Sequence, residues 1–123
     1  MELKLLSVTA QGDAAKEYLT LRALEDCNLK NYMIFDSTFN SDGAPSNKHR
    51  HVFVFPNWAV EKGDYIFLRT RPGSHGKFTT SNGFPAHGFH WGLNSPVWNE
   101  TGDTAHLIKI HSVKNLKVPA AAQ

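Results

Sequence analysis

The sequence lacks most of the features that mark membrane, disulfide-bonded and helical proteins. It has one cysteine, Cys27, which cannot form an internal disulfide, so stability has to come from packing and the redox compartment is left open. Nowhere do about 20 consecutive apolar residues occur, the length a helix needs to span a bilayer. The N-terminal "MELKLLSVTAQGD" lacks the basic start and long apolar stretch of an export signal. The expectation is no membrane span; the compartment is not fixed, and a cytoplasmic protein is the default reading. Aspartate and glutamate are missing from Tyr65 to Asn99, where Arg69, Arg71 and Lys77 lie with His75, His87 and His90. The middle of the chain is therefore locally basic, although a net charge of +2 is too small to imply a polyanion partner by itself.

Helical periodicity is scarce, and what replaces it is alternation. Apolar residues recur at period two, the spacing that sends side chains to opposite faces of a strand. Seven segments carry it: Leu3 to Thr9, Lys16 to Leu24, Asn31 to Asp36, His51 to Pro56, Asp64 to Thr70, Gly88 to Leu93 and Thr104 to Val113. "GDAAKEYLTLRAL" contains helix formers, yet Tyr18, Thr20 and Arg22 alternate with Leu19, Leu21 and Ala23, which favours a strand. With 123 residues, 41% of them hydrophobic and 20% charged, the chain reads as one globular domain, able to bury roughly two thirds of its unfolded surface. Residues 1–117 form that domain and 118–123 a frayed tail. An all-β sandwich or barrel follows. In "NWAVEKGDY" Gly63 is expected to supply a positive φ for a tight turn. Two connections are long, Ser37 to Arg50 and Arg71 to Gly88. The second, rich in Gly, Ser, Thr and Asn, reads as a functional loop unable to supply a packed strand.

Catalytic chemistry finds little support. His49 with His51, and His87 with His90, could each offer two metal ligands, but no cysteine pair, HExxH or carboxylate cluster accompanies them. Solvated loop histidines are the expectation, and no metal or other cofactor. Cys27 follows Glu25 and Asp26, which disfavour a thiolate, so it reads as a packing residue. No nucleophile elbow, P-loop or dinucleotide glycine pattern occurs. Glu100 and Asp103 share one tight turn, and Asn99 to Thr101 fits a glycosylation sequon that short sequences match by chance. Trp91 and Trp98 are large enough to close a small sandwich core. Gly102, Asp103 and Thr104 read as the turn and start of the strand that follows.

"WGLNSPVWNETGDTAHLIKI", with "EYLTLRAL", "NLKNYMIFD" and "HVFVFPNWAVEKGDYIFLRT" upstream in the same order, resembles the lamin-tail domain. That family is an immunoglobulin-like β-sandwich found at the end of nuclear lamins and as isolated modules in bacterial and archaeal proteins. The similarity runs from about residue 3 to 112 and implies an immunoglobulin-like sandwich of about seven to nine strands. Two departures stand out. Asn31 replaces the family's glycine before the aromatic Tyr32, and is expected to keep a left-handed backbone there; Lys62 replaces the proline before Gly63. The resemblance implies no catalytic residues and no cofactor. It implies a structural or protein-interaction module, binding a protein or a second copy through exposed edge strands or the 71–88 loop. The residues themselves supply an alternative: nucleic-acid or polyanion binding through the acid-free segment, with Arg69, Arg71, His75 and Lys77 meeting phosphates and Phe78 or Phe84 stacking on bases.

Overall fold

A computed structural model describes residues 1–37, 51–98 and 103–121. Each of the seven alternating segments overlaps a strand, although Gly88 to Leu93 holds only the last three residues of the sixth. In chain order they are β1 (Leu3–Thr9), β2 (Tyr18–Ala23), β4 (Tyr32–Ser37), β5 (Val52–Val54), β7 (Tyr65–Arg69), β9 (Pro85–His90) and β10 (Thr104–Lys109). Three short strands join them: β3 (Cys27–Asn28), β6 (Ala59–Val60) and β8 (Gly76–Thr79). One sheet has the order β1-β2-β7-β9-β8, a second β10-β4-β5, and β3 pairs with β6. All the pairings are antiparallel except that of β7 with β9.

The alternation decides which side chains go inward. On β2 Leu19, Leu21 and Ala23 are buried while Arg22 is exposed, and on β7 Ile66 and Leu68 are fully buried between half-buried Tyr65, Phe67 and Arg69. Facing them are Tyr32 and Ile34 of β4, with Phe55, Phe89 and Trp98 completing one continuous core. Each fully buried Leu, Ile or Phe contributes about 1.5–3 kcal/mol relative to an exposed one, so this single layer between two sheets holds the all-β sandwich together. Trp98 is 3% exposed, and half-buried Trp91 packs against it at 6.1 Å between ring centroids.

Three expectations need correction. The stretch from Arg71 to Gly88 is not a loop: it forms β8, a turn at Gly83, and the first four residues of β9. Glycines at 76 and 88 lie opposite each other in the pair, so two chains approach closely and Gly, Ser and Thr are accommodated as strand residues. Asn31 is not left-handed. It closes a 3-10 turn, Leu29–Asn31, fixed by Asn28, whose side chain accepts from the Lys30 and Trp58 backbone N–H groups. His87 is not a solvated loop residue but a buried one on β9, 3% exposed. Gly63 does have a positive φ, +92°. His49, the Asn99 to Thr101 sequon, Glu100 and Gly102 lie outside the described residues.

Candidate ligand-binding face

Two polar clusters hold the fold. Glu17, 1% exposed, accepts hydrogen bonds from the Gly12 amide (3.0 Å), the Thr70 hydroxyl (2.5 Å) and the amides of Val97 (2.9 Å) and Trp98 (3.3 Å). One carboxylate thereby fastens three distant segments. In the second cluster Trp58 Nε1–H donates to His87 Nδ1 (2.9 Å), and His87 Nε2 lies 2.8 Å from Asp64 Oδ2. Tryptophan can only donate, so the imidazole proton sits on Nε2 and is donated to Asp64. Burial pushes the Asp64 carboxyl upward. The hydrogen bonds from His87 and the Glu61 amide, with the charge of Lys77, outweigh that and hold it below its usual value.

Four other histidines, His51, His75, His90 and His106, also have partners. His51 donates its amide to Asp36 Oδ1 (2.8 Å) and sets its ring against Oδ2 (3.1 Å). His75 accepts from the His90 amide (3.1 Å), and the two rings lie parallel, 6.4 Å apart. Burial pushes the His90 imidazole below the usual histidine value; a hydrogen bond to the Arg71 carbonyl opposes this, and the charges of Arg69, Arg71 and His75 add to it. Ser37 Oγ and His106 Nε2 are 2.6 Å apart, but Ser37 is 2% exposed. Among the described residues no three His, Cys, Asp or Glu side chains gather as a metal site. Burial, followed by the charge of Glu2, raises the Cys27 thiol.

The outward face of the five-stranded sheet is different. Tyr18, Tyr65, Phe67, Phe78 and Phe84 form an unbroken row, with centroid separations of 5.4 Å (Tyr18–Phe67), 6.4 Å (Tyr65–Phe67), 5.8 Å (Phe67–Phe78) and 5.7 Å (Tyr65–Phe84). Their positions follow from register: Tyr18, Tyr65 and Phe67 alternate with buried residues on β2 and β7. Phe78 sits opposite Ala86 in the β8–β9 pair. Phe84 is 48% exposed and Phe78 36%. The Arg22 guanidinium lies over Tyr65 at 5.4 Å, and that of Arg69 over Phe78 at 5.5 Å. No aspartate or glutamate occurs anywhere in the five strands. Among the described residues no carboxylate pairs with either guanidinium. Burial lowers the Arg69 pKa, with the charge of Arg71 adding to the effect.

Of the residues expected to form a binding loop, the fold brings Arg69, Phe78 and Phe84 together on this face. Arg71 instead lines a separate surface groove with Asp13 and Leu93. Lys77 lies beside Asp64 and His87 in another groove, and His75 packs on Phe89 (5.1 Å). Sequence reasoning passed over Tyr18, Arg22, Tyr65 and Phe67. Their signal was available in the alternation, but only pairing of β2 with β7 sets them beside Phe78 and Phe84. No family model and no curated protein matches this chain. Among the described residues no helix is long and apolar enough to cross a membrane.

Proposed function

We propose that this chain is a non-enzymatic binding module of the lamin-tail type, with the outward face of its five-stranded sheet as the working surface. The observation that carries this is the aromatic row with two arginines held on its rings and, among the described residues, no carboxylate paired with them. Tyrosine, other aromatics and arginine are the side chains that supply most binding energy at recognition surfaces, and cations already ordered by ring contacts lose less freedom on meeting a partner. The histidines add support. His87 has both ring nitrogens engaged inside the protein, leaving neither to move a proton for a substrate. The 71–88 segment contributes Phe78, on β8, and Phe84, in the turn before β9, to this surface.

The test is capture of partners from a source lysate with three baits: wild type, the face variant Arg22→Glu with Phe84→Ser, and the edge variant Val54→Lys. The expected result is that wild type and the edge variant retain the same partner and the face variant loses it. Equal capture by all three, or none by wild type, would sink the reading. A second reading, self-association, has its own observation: β5 ends the three-stranded sheet with Val52 49% and Val54 57% exposed, an apolar edge strand. Light scattering across a concentration series decides it, since Val54→Lys should abolish any dimer.

A further inference from the structure

Building on that reading of the sheet face, we infer that its ligand is a single-stranded nucleic acid, with Arg22 and Arg69 holding phosphates and the aromatic row receiving bases. Charge comes first. Arg69 is half-buried on Phe78 with no hydrogen bond or carboxylate from the described residues, so its guanidinium has left part of its water without gaining an anion. A planar cation of five donors in that condition is suited to a phosphate or a carboxylate. Arg22 is its counterpart at the other end of the face: it pairs with Tyr65, four residues along β7 from Arg69, which at about 3.3 Å per residue separates the two by about 13 Å. The ligand must therefore carry repeated negative charge along an extended chain.

What lies between the two arginines selects among such chains. The backbone N–H and C=O groups of β2, β7 and β9 are already paired on both sides within the sheet, so an acidic peptide lying across these central strands, between the two arginines, would find no strand to extend there and only rings to touch. Bases differ, because every base offers a flat surface to a ring and stacking tolerates any sequence. Phe84 is the ring most open to this, and beside it Tyr18, Tyr65, Thr20, Thr80 and Asn82 form a groove of about 370 Å³ whose hydroxyl and amide groups can meet base edges. A duplex keeps its bases inside the stack, so a single strand fits the surface better.

The experiment is fluorescence anisotropy with a dye-labelled oligothymidylate of about twelve nucleotides, within the span such platforms cover. It is run from low to moderate salt beside the duplex, inorganic polyphosphate and polyglutamate. Wild type should bind the single strand most tightly. Arg22→Gln with Arg69→Gln should weaken binding and flatten the salt slope by about 1.4, two single-strand phosphate contacts at roughly 0.7 each. Phe84→Ala should weaken it by about 5- to 150-fold with the slope unchanged. Circular dichroism confirms folding of each variant; if Arg69→Gln unfolds, Arg22→Gln alone should flatten the slope by about 0.7. Polyphosphate or polyglutamate binding as tightly, an equal preference for duplex, or indifference to Phe84→Ala would each overturn the inference. So would no binding at low salt. In that case the proposed function stands or falls on the lysate capture, which does not depend on the ligand being nucleic acid.

Discussion

Single buried side chains carry much of this fold's specificity. Glu17 is the clearest: four donors converge on it, and without it the amides of Val97 and Trp98 and the Thr70 hydroxyl would be buried with no acceptor. Glu17→Ala is expected to cost about 3 kcal/mol or more in urea unfolding, since it leaves several buried donors unpaired, and Thr70→Val about 1 kcal/mol, since it takes one donor from a buried carboxylate. Asp64 sets a pH dependence. Its carboxyl is held below the usual range in the fold, so the folded state binds fewer protons than the unfolded one at intermediate pH. The stability it confers is fully present above the unfolded value of about 3.9 and is lost as pH falls through the lower folded value. The difference in urea midpoint between wild type and Asp64→Asn should hold steady from pH 7 to 5 and shrink below about pH 4. A difference that stayed constant down to pH 2 would remove Asp64 from that role. Neither cluster announces itself in the sequence, where Glu17 is one acid beside a tyrosine and His87 one histidine of seven. Burial singles them out.

At the scale of strands and turns, glycine positions separate stability from binding. Gly63 has a φ of +92° with open space where a Cβ would point. Gly63→Ala should therefore cost about 1 kcal/mol from backbone strain alone, read as a lowered melting temperature with binding unchanged. Gly88 is the opposite case. A Cβ there would lie 2.8 Å from Arg69 Nη1 and 3.3 Å from a Phe78 ring carbon, so Gly88→Ala should displace the guanidinium from its ring. The expected outcome is about 1 kcal/mol of lost stability and a larger proportional loss of ligand affinity than Gly63→Ala produces, measured in the same anisotropy assay. Seven strands were legible, one of them only in part, because alternation is local. β8 was not: Gly76 and Lys77 have weak strand preference, Phe78 and Thr79 alone are too short a run to show a pattern, and what makes the four a strand is β9 lying beside them.

The whole molecule is held by pairings between segments far apart in the chain. β2 joins β7, β4 joins β10, and β7 runs parallel to β9 with β8 in the intervening chain. Such a topology must close long loops before any pairing energy is gained, so refolding is expected on the millisecond-to-second scale. Stopped-flow tryptophan fluorescence checks this, with Trp58, Trp91 and Trp98 as probes. A microsecond phase carrying the full amplitude would contradict the topology. The same long-range pairing assembles the candidate face, which takes two rings from β7, one each from β2 and β8, and one from the turn before β9.

By itself the sequence determined that the chain folds as strands, because side chains alternating at period two can bury one face only if the backbone is extended. It also marked the acid-free middle of the chain and three of the residues on the aromatic face. Only the tertiary structure decided which cations stand together. Arg69 and Arg71 are two residues apart, yet Arg69 lies on Phe78 and Arg71 lines a different groove. Arg22, more than forty positions away in the chain, stands four residues along the neighbouring strand. Neighbourhood on a sheet is set by register between strands, and register depends on what the inward side chains pack against, which no local pattern contains.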